Sequence, residues 1–234
     1  MNKTLYTSKF SLGKWCFLFI GGSILFTIVY ALATIPEHSI GNNWISGTLS
    51  LICGVLLLLM YRWLVRSYEE RKIEELSMQK SLKDTGIGFL WGMLMMAAVI
   101  GIFALCGWYK IIGCSFNVAF VYRYLMAYFV VAVGEEIVFR GIMFRLFDSQ
   151  FNLWVALIFS SFLFGAAHII NPNATVVSTV GISLASGVLF GLLFKYYRTL
   201  WVPIGIHWSW NFVQGTVAGC PVSGGAPDYS ILES

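Results

Sequence analysis

The sequence has 234 residues, of which 58% are hydrophobic and only 11% charged, with a mean hydropathy of +0.77. A soluble domain carries about 25% charged residues, so this composition excludes an ordinary soluble globular fold and marks an integral membrane protein. The net charge of +4 forms no basic stripe and gives no nucleic-acid signature, and the 5 scattered cysteines, without a CxxC pair, outline neither a metal site nor a disulfide framework.

In chain order, runs at 15–34, 44–65, 86–108, 118–146, 153–170, 178–197 and 200–217 approach the ~20 residues that a helix needs to cross a bilayer. The expected fold is all-α, a polytopic bundle of about seven transmembrane helices. Ala31-Leu32-Ala33 has the form of a signal-peptidase site, but the apolar core before it is longer than that of a signal peptide and reads as a retained first span. If the N-terminus is cytoplasmic, every lysine and arginine falls on the inner side except Lys110 and Arg123. That count includes Lys3, Lys9 and Lys14 before the first run, and Arg140 and Arg145 near the end of the fourth. The bias predicts the N-terminus inside and the C-terminus outside, and the expected location of this multi-pass chain is the bacterial plasma membrane.

Between the second and third runs lies the one extended polar segment, 66–85. Its charges alternate in sign and Arg71 stands four residues before Glu75, which predicts a solvated cytoplasmic helix. In the sixth run Ser183, Gly187 and Gly191 recur every fourth residue, a stripe along which a neighbouring helix packs closely.

Most acids and histidines fall in loops, Glu37, His38, Glu69 and Glu75 among them, but Glu135, Glu136, His168 and His207 interrupt apolar runs. Ionisable groups there are costly, and their origin in three separate runs points to one shared buried site. At about 100° per residue, Arg140 lies roughly 40° from Glu136 and roughly 140° from Glu135 around the helix, so Glu136 is expected to pair with Arg140 and Glu135 to face another neighbour. His207 and Asn211 share one helix face, as do Phe164 and His168. A Glu, two His and an Asn suit water activation and oxyanion binding in peptide hydrolysis. The same set with water in an open position would also suit zinc, although no HExxH helix is present. A non-catalytic peptide-binding, immunity or scaffold protein, or a proton-coupled transporter, are the readings outside enzymology.

EEIVFR at Glu135 to Arg140, FGAAH at Phe164 to His168 and HWSWN at His207 to Asn211 follow the patterns EExxxR, FxxxH and HxxxN. In this the chain resembles the CAAX prenyl protease and bacteriocin-processing (CPBP, or Abi) family of intramembrane glutamic endopeptidases. The resemblance implies a four-helix catalytic core around a hydrated cavity, here 118–217, after N-terminal helices at 1–117 and before a polar tail at 218–234. It implies Glu135 as the base that activates water, His168 as its assistant, His207 and Asn211 as holders of the oxyanion, and Glu136, Arg140 and Phe164 as support. No cofactor is expected, with zinc as the alternative, and the implied partner is a peptide or protein substrate in or at the membrane. Similar proteins with the stretch from Gly219 to Gly224 commonly continue into a further membrane helix, whereas this sequence ends at Ser234.

Overall fold

A computed structural model describes residues 10–35 and 39–234; Lys3, Lys9, Glu37 and His38 lie outside the described residues. Seven long helices run through them: α1 Leu12–Ala33, α2 Asn43–Glu69, α3 Met78–Leu105, α4 at 118–150, α5 Leu153–Ile170, α6 Val176–Tyr197 and α7 at 201–217. The chain is an all-helical, polytopic bundle. Local sequence sets the starts. Asn42, Asn117 and Asn152 each accept a backbone N–H from the first turn of α2, α4 and α5, and Thr175 forms a reciprocal capping box with Ser178 at the start of α6.

Among the described residues, five helices (α1, α2, α3, α5 and α6) are long and apolar enough to cross a membrane. The other two are α4, which carries Arg123, Glu135, Glu136, Arg140 and Arg145, and α7, which is shorter. These two form the interior. Residues 201–207 of α7 and 136–142 of α4 are buried without interruption.

The first three helices brace the last four. α3 lies directly on α7, where a Cβ on Gly88 would stand 2.2 Å from the carbonyl oxygen of Val202, and one on Gly92 2.4 Å from that of Ile206. Side chains at either position would separate the two backbones. α2 packs along α4, and α1 crosses α4 with the Tyr30 ring against Gly134. The stripe Ser183, Gly187 and Gly191 on α6 meets Gly165, Ser161 and Leu157 of α5.

The segment 66–85 is not the expected solvated helix. α2 extends to Glu69, residues 70–77 are irregular, and α3 begins at Met78. Three of its charges, Glu69, Arg71 and Glu75, join a network with a buried arginine: Arg145 of α4 donates two hydrogen bonds to Glu69 and one from Nε to the carbonyl of Gly141, while Arg71 bonds both Glu69 and Glu75. Glu75, 1% exposed, also accepts from Tyr61 at 2.7 Å, and its carbonyl accepts the N–H of Leu200 at 2.8 Å. Two arginines and two glutamates balance, which is what permits their burial. Burial pushes the Glu75 carboxyl up, but the Arg71 hydrogen bond and the charges of Arg71 and Arg145 outweigh it and hold the group below the usual carboxylate range. Arg140 and Arg145, each 1% exposed, are likewise ion-pair partners inside the bundle and not interfacial anchors.

The segment 218–234 folds back over the opposite end of the bundle. Strand β1, Gly113–Cys114, pairs antiparallel with β2, Leu232–Glu233. Tyr229 accepts the N–H of Asn117 at 2.7 Å, Tyr124 donates to Asp228 at 3.3 Å, and Ile231 donates to the carbonyl of Thr216 at 2.7 Å. These bonds strap the segment across the ends of α4 and α7.

Candidate active site

Glu135 and Glu136 occupy the end of the regular part of α4, where the winding loosens into a wider turn over Ile137–Phe144. Glu136 is fully buried, and its Oε1 accepts from Arg140 Nη1 and from His207 Nδ1, each at 2.9 Å. Arg140 in turn donates from Nη2 to the carbonyls of Ser186 and Gly187 on α6, at 3.1 and 3.2 Å. Its guanidinium lies 4.4 Å from the Phe164 ring centroid and 5.2 Å from that of Phe190. Cation–π contact and carbonyl bonds together hold a charge that burial alone would expel.

Glu135 turns the other way. Its Oε2 stands 3.8 Å from Nε2 of His168 and 3.9 Å from Nε2 of His207, and has no hydrogen-bond partner among the described residues. Atoms at that spacing are too far apart to bond directly and near enough to share one water molecule. Oε1 accepts from the Tyr30 hydroxyl at 3.2 Å.

The two histidines present Nε2 because Nδ1 is engaged. His168 ends α5 in a single tight turn, His168–Ile170, and donates from Nδ1 to the Phe164 carbonyl at 2.7 Å. A carbonyl only accepts, so Nδ1 carries the proton. The same logic fixes His207 against the Glu136 carboxylate. Phe164 stands between the groups, its ring 4.8 Å from that of His168 and 6.1 Å from that of His207, with Arg140 over its face. Asn211, one turn beyond His207 on α7, is 7% exposed.

Two cavities open beside these groups. One of about 260 Å³ is lined by His168, His207 and Asn211, and one of about 380 Å³ by Glu135, Tyr30 and Asn211. Val222 and Ser223 of the strap line both and stand between them. The expected residues Glu135, Glu136, Arg140, Phe164, His168, His207 and Asn211 therefore all come together, from three helices. Among the described residues no group of three or more His, Cys, Asp or Glu side chains is arranged to hold a metal ion. Tyr30 and the strap were not expected at the site. Tyr30 is one tyrosine in an apolar run with no spacing to single it out, and the strap's position follows from contacts with residues about a hundred positions earlier.

Residues 116–213 match the family model described as Type II CAAX prenyl endopeptidase Rce1-like. Over that segment, which is less than half of the chain, the sequence is similar to that family. The match opens one residue before the Asn117 cap of α4 and closes in α7, so it contains every candidate residue above and leaves out α1 to α3 and the strap. No curated protein matches the chain. No solved structure matches it. The match supports an intramembrane protease with a peptide or protein substrate, and the long apolar helices make the chain an integral multi-pass membrane protein.

Proposed function

We propose that this protein hydrolyses a peptide bond of a membrane-associated or lipid-modified peptide by a water-activated, non-covalent route. A water shared by Glu135 Oε2 and His168 Nε2 loses a proton to Glu135 as its oxygen attacks the scissile carbonyl carbon. The carbonyl oxygen becomes an oxyanion, held by Nε2–H of a doubly protonated His207 and by the side-chain amide of Asn211. Glu136, which also pairs with Arg140, accepts from the imidazolium's other nitrogen. The proton held by Glu135 then passes to the leaving amine nitrogen, the C–N bond breaks, and a new carboxyl and a new amine result.

The observation that carries this reading is the convergence of both histidine Nε2 atoms on one otherwise unbonded carboxylate oxygen, at 3.8 and 3.9 Å. Residues 118–217 are assigned as the catalytic bundle, the preceding helices as its brace, and the strap end as the external face. The test is cleavage of a farnesylated, internally quenched peptide ending in a CAAX sequence, run beside its unprenylated counterpart. Wild type is expected to cut at least one of the two, and Glu135→Gln and His168→Ala neither. Full cleavage by both variants would overturn the assignment.

A further inference from the structure

We propose that Tyr30 of α1, which lies outside the family-matched segment, is a positioning residue for hydrolysis: its hydroxyl holds Glu135 Oε1 so that Oε2 is presented between the two histidines. The inference rests on the proposed role of Glu135. A glutamate has three rotatable bonds, and this one has no cation at helical spacing on its own helix to hold it. Freezing it costs side-chain entropy, and a base left to wander loses the alignment on which its rate depends.

The geometry supplies the clamp. Tyr30 donates to Oε1 at 3.2 Å, leaving Oε2 without a bond to any described residue and within 4 Å of both Nε2 atoms. The reach of the hydroxyl depends on Gly134. A Cβ there would stand 2.2 Å from Tyr30 Cδ2 and 2.7 Å from Cγ, so only a residue without a side chain lets the ring lie against α4 and its hydroxyl meet the next residue. Tyr30 also lines the 380 Å³ cavity together with Glu135, on the side away from the histidines. The carboxylate is thereby held from one side by a phenol and faced from the other by two imidazoles. α1 is thus joined to the chemistry as well as to the bundle.

The test is Tyr30→Phe, which removes the hydroxyl and keeps the ring on Gly134, assayed with the same quenched peptides. Without the hydroxyl the carboxylate loses its alignment between the histidines, so kcat is expected to fall roughly tenfold or more while KM stays at the wild-type value. In a Glu135→Asp background, where the carboxylate is drawn back from the phenol, adding Tyr30→Phe is expected to cost little further. Wild-type kcat for Tyr30→Phe, with Glu135→Gln inactive, would overturn this inference and leave the role of Glu135 standing. An equal loss in both backgrounds would assign Tyr30 a role that does not pass through Glu135, and would overturn it too. Full activity of Glu135→Gln would remove the reading on which the inference rests.

Discussion

His207 donates from Nδ1 to Glu136 Oε1 at 2.9 Å, so the acid that pairs with Arg140 on its own helix also orients the ring of a histidine on α7. One carboxylate thereby ties α4 to α7 and aims His207 Nε2 at Glu135. Adjacent glutamates consequently have separate tasks, one holding the frame and the other facing the cavity.

Replacing Glu136 by Gln tests the frame. Arg140 is 1% exposed and would keep its charge without a counter-ion, a loss that costs about 3 to 5 kcal/mol in comparable buried pairs. Glu136→Gln is expected to lower Tm sharply in detergent and to abolish cleavage. Glu135→Gln leaves the Glu136–Arg140 pair intact and keeps an oxygen for the Tyr30 hydroxyl, and is expected to leave Tm near wild type. Equal Tm for the two variants would contradict the division.

Arg140→Lys keeps the charge and loses the fork. Lysine has no second nitrogen to reach the carbonyls of Ser186 and Gly187 while also bonding Glu136, nor a flat face to lie on Phe164. A loss of about 1.5 to 3 kcal/mol in stability is expected from those bonds. Thermal unfolding measures it, and an unchanged midpoint would show that charge alone suffices.

The Glu69, Arg71, Glu75 and Arg145 network gives a pH prediction. The folded carboxyl of Glu75 titrates below its unfolded value, so its stabilisation is complete above the unfolded pKa of about 4.3 and is lost as pH falls toward the folded one. Glu75→Gln is therefore expected to lower Tm at pH 7 and to converge on wild type in acid. A difference in Tm that widened below pH 4 would contradict the sign.

Much of this was legible before the fold was known. A membrane span is legible because hydrocarbon demands about twenty apolar residues, and runs such as 153–170 and 178–197 differ from the helices Leu153–Ile170 and Val176–Tyr197 by two residues at most. The pairing of Glu136 with Arg140 was legible because it is local to one helix. The 70–77 segment was not: Arg71 and Glu75 do pair, but the partner that draws Glu69 inward, Arg145, comes 76 residues later. Glu136 to His207 spans 71 residues and Tyr30 to Glu135 spans 105, and no periodicity encodes such contacts.

Orientation is tested by thiol labelling. Cys114, exposed and in the strand that pairs with the strap, is expected to react with a membrane-impermeant maleimide in intact cells if the strap end is external. Labelling only after permeabilisation would invert the orientation.

The central claim is that the Glu135 carboxylate is the base. Its most direct test is single-turnover cleavage of the quenched farnesylated and unprenylated CAAX peptides by purified Glu135→Gln, with Tm measured on the same sample. General-base catalysis contributes about 100- to 10,000-fold, so the account predicts at least a 100-fold slower cleavage at an unchanged Tm. Cleavage within a few-fold of wild type by a folded Glu135→Gln variant would contradict it.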